Sequence, residues 1–147
     1  MEETRKSRLT KGMFSSTTDL WATPQDFFDT LNDEFHFDLD PCATHDNAKC
    51  PIYFTAEEDG LKQNWQGYTV FCNPPYGRAI AAWVKKCYEE SRKPDTKVVM
   101  LIPARTDTSY FHDYIYHKAE LRFIRGRLKF GNAEQGAPFP SMVVIFG

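Results

Sequence analysis

The chain has 147 residues, of which 41% are hydrophobic and 26% charged, and its formal net charge is -2. This length predicts one domain with a single core, and no apolar run is long enough to cross a bilayer. Because the net charge gives no general attraction to nucleic acid, binding of DNA or RNA would require a local basic surface.

The first segment, residues 1–18, is basic and polar and shows no hydrophobic periodicity. We interpret it as a flexible arm in front of one domain that spans residues 19–147. The segment lacks the apolar stretch of a secretory signal, and the four cysteines form no CxxC pair. We therefore expect reduced thiols and a cytoplasmic protein.

The first regular elements are predicted just after this arm. A helix is expected over residues 24–32, with Thr23 as its cap and Pro24 in its first turn. Residues 35–39 alternate between apolar and polar side chains, which predicts a strand that ends before Pro41. A long polar loop is expected after that strand.

The remainder of the chain alternates strand-like apolar runs with helix-like spacing. We predict strands over 68–72, 97–102, 120–124 and 142–146, and helices over 80–90 and 110–118. This alternation favours an α/β fold with a mostly parallel sheet and helices on both sides. Since ligands of such sheets bind at the carboxyl ends of the strands, we expect the loops that start at Asp40, Asn73 and Pro103 to meet in space.

The most informative motif is Asn73-Pro74-Pro75-Tyr76, which directly follows a predicted strand. Two prolines stiffen the loop, so that its carbonyl groups and the Asn73 side-chain oxygen can be aimed at the two hydrogens of an amino group. Such acceptors favour a pyramidal nitrogen whose lone pair points at an electrophile. Tyr76 offers a flat ring for stacking of an extruded base. The alternative, a structural Pro-Pro turn with a core tyrosine, is disfavoured by the strand, loop and helix order.

With these residues the chain resembles the phage-type DNA N-6-adenine methyltransferases, a Dam-like family found in phages and prophages. The resemblance extends from about Trp21 to the end of the chain. The matching segments are Trp21 to Pro24, Phe37 to Ala43, Asn47 to Tyr53, Asp59 to Leu61, Asn73 to Tyr76, Leu101 to Arg105 and Gly126 to Phe130. Only the Asn73 to Tyr76 segment is specific by itself, whereas the set in this order is strong.

The resemblance implies a Rossmann-like fold that binds S-adenosyl-L-methionine and transfers its methyl group to N6 of adenine in DNA. It implies that the catalytic residues are Asn73, Pro74, Pro75 and Tyr76. The cofactor-binding residues that it implies are Trp21, Thr23, Pro24, Asp40, Pro41, Cys42, Asp59, Leu61 and Asn73. The chain departs from many methyltransferases because Asp40-Pro41-Cys42-Ala43 stands where they have a Gly-x-Gly loop.

DNA is the expected macromolecular partner, and Arg105, Arg127 and Lys129 are candidates for phosphate contacts beside the base pocket. The alternative interpretation of these three residues is ordinary surface charge. A zinc site built from Cys42, His45 and Cys50 is disfavoured because their spacing fits no familiar motif, and no metal is expected.

Other functions remain open on the sequence. An Asn-Pro-Pro-Tyr pocket also suits the planar amine of cytosine, of an RNA base or of a protein glutamine. A DNA-binding module with a vestigial pocket is an alternative of a different class. These hypotheses differ in the substrate that receives a methyl group and in whether the cofactor binds at all.

Overall fold

The computed structural model describes residues 21–131 and 133–147. The predicted arm over residues 1–18 lies outside the described residues. Within those ranges, no helix is both long and apolar enough to span a membrane.

The described chain consists of two α-helices, one π-helix, a 3-10 turn and six strands. In chain order they are α1 (Gln25–Phe35), β1 (Leu39–Asp40), β2 (Ile52–Tyr53), the 3-10 turn (Gly60–Lys62), β3 (Thr69–Cys72), α2 (Ile80–Ser91), β4 (Lys97–Pro103), the π-helix (Phe111–Ile115), β5 (Glu120–Phe123) and β6 (Ser141–Phe146). Most of these elements match the predicted ones to within a few residues.

The strands form one sheet in the order β2-β1-β3-β4-β6-β5. β1 pairs in parallel with β2 and β3, and β3 pairs in parallel with β4. β6 runs antiparallel to both of its neighbours, so five of the six described strands share one direction. The predicted mostly parallel sheet is confirmed.

Helices cover both faces of this sheet. The ring of Phe28 on α1 lies 5.1 Å from that of Phe71 on β3. The thiol of Cys87 on α2 contacts that of Cys72. Because neighbouring residues of a strand point to opposite faces, α1 and α2 lie on opposite sides of β3. This arrangement confirms the predicted α/β architecture of a Rossmann-like methyltransferase fold.

The centre of the core is the pair of strands β4 and β6, whose inner residues are buried on both faces. Val98 through Ile102 and Met142 through Phe146 are all at most 6% exposed. A continuous apolar run predicts this double burial, since a strand covered on both sides has no polar face. Pairing with β6 therefore holds the carboxyl end of β4 at a fixed place in the sheet.

Three local predictions were wrong in detail. The predicted cap residue Thr23 makes no capping hydrogen bond, because its hydroxyl accepts from Asn73 instead. The predicted strand over 35–39 begins only at Leu39, since α1 continues to Phe35 and His36 ends it in the left-handed conformation with φ of 58°. The predicted helix over 110–118 is a five-residue π-helix, closed by a hydrogen bond from Tyr116 N to Phe111 O of 2.8 Å.

Candidate active site

Two neighbouring cavities lie at the carboxyl ends of the parallel strands. The first, of about 520 Å³, contains the ends of β1 and β3 with Asp40 and Asn73. The second, of about 460 Å³, contains the end of β4 at Pro103 together with Tyr76. Trp21 lines both cavities. The three loops therefore meet at one edge of the sheet, as expected.

The first cavity gathers most of the residues that the family resemblance connects with the cofactor. Eight of the nine line its wall, namely Trp21, Thr23, Asp40, Pro41, Cys42, Asp59, Leu61 and Asn73. Pro24 does not line the cavity and instead occupies the position before the first residue of α1. The fold thus brings together segments that are up to fifty residues apart in the chain.

The orientation of the Asn73 carboxamide is fixed by its partners. Its nitrogen donates to the carbonyl oxygen of Trp21 and, at 2.8 Å, to the hydroxyl of Thr23. Because a carbonyl oxygen can only accept, the nitrogen must face Trp21, and the side-chain oxygen must point the other way. That oxygen accepts from the Tyr76 hydroxyl at 2.7 Å and keeps one lone pair for a further donor.

Tyr76 donates a hydrogen bond to this Asn73 oxygen, and its own side chain is almost fully buried. Its single hydroxyl hydrogen lies between two acceptors, the Asn73 side-chain oxygen at 2.7 Å and the Leu101 carbonyl oxygen at 3.0 Å. Burial raises the pKa of the Tyr76 phenol well above its usual value, so the group stays a neutral donor. This supporting role could not be read from the motif, which suggests only a stacking ring.

The proline carbonyls complete the set of acceptors at this loop. Pro74 and Pro75 line the first cavity beside Asn73. Among the described residues, no group donates a hydrogen bond to the carbonyl oxygen of Pro74 or Pro75. The backbone carbonyl of Asn73 differs, because it accepts from the Cys42 thiol at 3.2 Å. Two backbone acceptors to which no described residue donates therefore lie next to the oriented carboxamide.

Asp40 is the last residue of β1 and lines the first cavity. Its carboxylate accepts from the backbone N–H groups of Cys42 at 3.4 Å and Lys49 at 3.1 Å. Burial raises the pKa of Asp40, and these two hydrogen bonds oppose the rise by favouring the charged form. Through these two hydrogen bonds, the Asp40 carboxylate holds the β1–β2 loop close to the end of β1.

Asp59 and Gly60 form another part of the cavity wall, where the 3-10 turn packs against Pro41. Asp59 adopts the left-handed conformation with φ of 58°, and its carboxylate accepts from Leu61 N at 3.2 Å. A side chain at Gly60 would place its Cβ only 2.0 Å from the carbonyl oxygen of Pro41. Only glycine therefore allows the 3-10 turn to pack against the loop that follows β1.

The cysteines do not form a metal site. Cys42 and Cys72 lie with their sulfur atoms 3.7 Å apart, and burial raises the pKa of both thiols well above the usual value. His45, which with Cys42 and Cys50 makes up the disfavoured zinc hypothesis, is hydrogen bonded to the Tyr53 hydroxyl at 2.8 Å. Within residues 21–131 and 133–147, no three His, Cys, Asp or Glu side chains are grouped to hold a metal ion.

The second cavity has flat and largely apolar walls. Trp21, Tyr76, Pro138 and Phe139 line it, and Arg105 lies at its rim with an exposed side chain. The rings of Tyr76 and Phe139 meet edge to face with centroids 5.6 Å apart. A planar aromatic ligand fits such walls.

The other two predicted phosphate-binding residues lie in the segment between β5 and β6 and are exposed. Neither Arg127 nor Lys129 lines the first or the second cavity. The guanidinium of Arg127 donates to the Ala137 carbonyl oxygen at 3.2 Å, so it also holds this segment closed.

Several residues of the first cavity are not recognisable from the sequence alone. They include Lys49, Thr55, Gly60, Phe71 and Trp83. Lys49 and Gly60 fall inside segments that match the family pattern, which is the only sequence signal for them. Thr55, Phe71 and Trp83 reach the cavity only through the packing of β2, β3 and α2.

Comparison with known proteins identifies relatives over most of the chain. The model of the DNA N-6-adenine-methyltransferase (Dam) family matches residues 11–146. A DNA N-6-adenine-methyltransferase of Haemophilus phage HP1 is 33% identical over 139 residues, which is 89% of this chain and 80% of that protein. A DNA N-6-adenine-methyltransferase of Escherichia phage T1 is 32% identical over 112 residues, covering 75% of this chain but only 46% of the phage T1 protein.

Proposed function

The chain belongs to the DNA N-6-adenine-methyltransferase (Dam) family, and on this premise we propose that its first cavity binds S-adenosylmethionine and that Asn73 with Pro74 holds the amine to be methylated. Its activity is that of the family, methylation of adenine at N6 in DNA. The observation that carries the site assignment is the Asn73 carboxamide, whose oxygen is oriented by Trp21 and Tyr76 beside a cavity of cofactor size.

The residues of the first cavity fit the cofactor in shape and chemistry. A volume of about 520 Å³ is in the range of sites for cofactors and drug-sized ligands. The walls offer the flat rings of Phe71 and Trp83 for a purine, and the carboxylate of Asp59 can accept from its amino group. The Asp40 carboxylate also lines this cavity and would complement the positive charge of the cofactor.

When bound, S-adenosylmethionine supplies an activated methyl group on a positively charged sulfur. The chain's own part is to orient the acceptor nitrogen. The Asn73 side-chain oxygen and the Pro74 carbonyl accept one amine hydrogen each, which draws the nitrogen out of the ring plane and aims its lone pair at the first cavity. The stiff Pro74-Pro75 backbone keeps these acceptors in place without reorganisation.

The second cavity is the place that we propose for the extruded adenine. An amine inside duplex DNA is paired and stacked, so the base must leave the helix before it can reach Asn73. Tyr76 and Phe139 provide aromatic walls against which the base can pack. Stacking of this kind stabilises bound bases by about 1–3 kcal/mol each.

DNA would be held around this opening by basic side chains. Arg105 at the rim, with Arg127 and Lys129 on the neighbouring segment, can contact phosphates on either side of the extruded nucleotide. With phage DNA as substrate, the proposal entails an enzyme that works in the cytoplasm of a bacterial host.

A methyl-transfer assay with labelled cofactor tests the proposal. Duplex DNA, RNA and a glutamine-containing protein are offered separately, and methylated nucleosides are identified by mass spectrometry. We expect N6-methyladenine in DNA as the product. Methylated cytosine, RNA or glutamine would assign a different substrate to the pocket. Failure of S-adenosylhomocysteine to bind in calorimetry would favour a DNA-binding module with a vestigial site.

A further inference from the structure

The charges that line the first cavity are unevenly distributed. Two carboxylates, those of Asp40 and Asp59, belong to its wall, whereas Lys49 is the only lysine or arginine among the described residues that line it. The proposed cofactor carries a carboxylate, an ammonium group and a sulfonium. Its one negative group therefore has a single cationic side chain available in the described part of the wall.

The backbone of Lys49 is held in place by the loop between β1 and β2. Its N–H donates to the Asp40 carboxylate at 3.1 Å. Further back in this loop, Thr44 and Asn47 exchange two hydrogen bonds, one from Thr44 N to the Asn47 side-chain oxygen at 2.7 Å and one from Asn47 N to the Thr44 hydroxyl at 3.2 Å. These contacts fix the point from which the lysine side chain extends.

The ammonium group of Lys49 reaches the first residue of α1. It donates to the Gln25 side-chain oxygen at 2.7 Å. Gln25 presents that oxygen because its amide nitrogen is used by the Asp29 carboxylate at 2.8 Å. Among the described residues, no carboxylate lies within salt-bridge distance of this ammonium group.

Lys49 lies on the side of the first cavity where the β1–β2 loop approaches the start of α1. Asp59 and Gly60 form the end that suits the adenine ring, and Asn73 marks the position of the methyl group. Lys49 is tied through Gln25 to the segment that contains Thr23, whose hydroxyl contacts Asn73. The methionine part of the cofactor would extend from Asn73 toward this side.

We propose that Lys49 binds the α-carboxylate of the methionine part of S-adenosylmethionine, with Gln25 orienting its ammonium group. This inference rests on the proposed function of the first cavity. It assigns to Lys49 the selection of ligands that carry a carboxylate. The residue determines cofactor affinity and specificity and takes no part in methyl transfer itself.

Calorimetric titration of the full chain with two ligands tests this role. One ligand is S-adenosylhomocysteine, and the other is its decarboxylated analogue S-adenosyl-3-thiopropylamine, which keeps the amine and lacks only the carboxylate. For Lys49→Met we expect the dissociation constant of S-adenosylhomocysteine to rise about tenfold, as for loss of a partly exposed charged hydrogen bond. The affinity for the decarboxylated analogue should change less than about twofold, which also reports that the variant is folded.

The matched control is Lys85→Met, since the Lys85 side chain is exposed on α2 and lines neither the first nor the second cavity. It should leave both dissociation constants unchanged. The proposal is overturned if Lys49→Met weakens both ligands equally, or if it weakens neither. If the unaltered protein binds neither ligand, the cofactor site itself is wrong, and the proposed function fails together with the role of Lys49.

Discussion

The Asn73 carboxamide is a group whose direction is set before any ligand arrives. Its nitrogen is used by Trp21 and Thr23, and its oxygen is supported by Tyr76. An amide that rotated freely would offer its nitrogen to an incoming amine about as often as its oxygen. The surrounding hydrogen bonds remove that possibility, which is the physical basis of preorganisation at this site.

Tyr76→Phe tests whether the phenol supports Asn73. We expect methyl transfer to fall about fivefold, because a neutral hydrogen bond of roughly 1 kcal/mol no longer fixes the Asn73 oxygen. The dissociation constant of S-adenosylhomocysteine should be unchanged, since Tyr76 lines the second cavity and not the first. Single-turnover rates and calorimetry measure the two quantities.

Tyr116→Phe is the control for this change, because Tyr116 is 48% exposed and lines neither cavity. It should transfer methyl groups at the unaltered rate. A Tyr76→Phe variant as fast as this control would show that the phenol does not contribute to orientation of the amide.

Residues of the site differ in how far the sequence reveals them. Asn73 and Asp40 could be singled out because each directly follows a strand and carries a polar group at the ligand-binding edge. Lys49 could not, because its role depends on Gln25, twenty-four positions away. Gly60 could not either, because only the fold shows that a side chain there would meet Pro41.

At the scale of elements, the 3-10 turn after β2 packs closely against the β1–β2 loop. Trp65 holds the turn from the interior by donating its indole N–H to the Gly60 carbonyl at 3.0 Å. The turn therefore has little freedom to move away from Pro41. The packing of this one turn sets the width of the cavity between Pro41 and Asp59.

Gly60→Ala tests the importance of that close approach. Its Cβ would lie 2.0 Å from the Pro41 carbonyl oxygen, so the turn must shift. We expect a loss of about 2 kcal/mol in the free energy of unfolding, as for overpacked interiors, and weaker binding of S-adenosylhomocysteine. Urea denaturation and calorimetry measure both effects.

Gly67→Ala separates the steric effect from backbone strain. Gly67 has φ of 89°, but a Cβ there would meet no atom within 4 Å. This variant should lose stability through strain alone and bind S-adenosylhomocysteine normally. Equal ligand affinities for the two variants would contradict the proposed importance of the close approach of Gly60 to Pro41.

Elements with a strong periodic signal were predicted well. β4 contains a run of five apolar residues and α2 has helical spacing over eleven residues, so the predicted boundaries agree with the structure to within one residue. β2 has only two residues, Ile52 and Tyr53, inside a segment that is otherwise polar, and it was assigned to a loop. Its pairing with β1 depends on partners thirteen positions away, which no local pattern contains.

For the molecule as a whole, a net charge of -2 means that DNA must be bound by local groups. Arg105 is the basic residue at the rim of the second cavity. The other charged edge is already neutralised, because Arg122 on β5 forms a bidentate pair with Glu34 at 2.7 Å. The proposed DNA face therefore differs from the β5 edge, because its cations, Arg105, Arg127 and Lys129, form no ion pair with another residue that the structure describes.

Arg105→Gln tests this asymmetry. We expect weaker DNA binding and a salt dependence whose slope, log K against log salt concentration, is reduced by about 0.9, as for loss of one phosphate contact. Fluorescence anisotropy with a duplex over a series of salt concentrations measures the slope. Arg122→Gln is the control and should keep the original slope; an equal reduction in both variants would indicate nonspecific charge effects.

In the proposed mechanism, the Asn73 side-chain oxygen accepts a hydrogen bond from the target amine during methyl transfer. The most direct test is the single-turnover methyl-transfer rate of Asn73→Ala at saturating cofactor and DNA, beside Asn64→Ala on the exposed surface as control. We predict a loss of about 100-fold in rate for Asn73→Ala, comparable to removal of one preorganised hydrogen-bonding group, with binding of S-adenosylhomocysteine retained. Transfer by Asn73→Ala at the rate of the Asn64→Ala control would contradict the account.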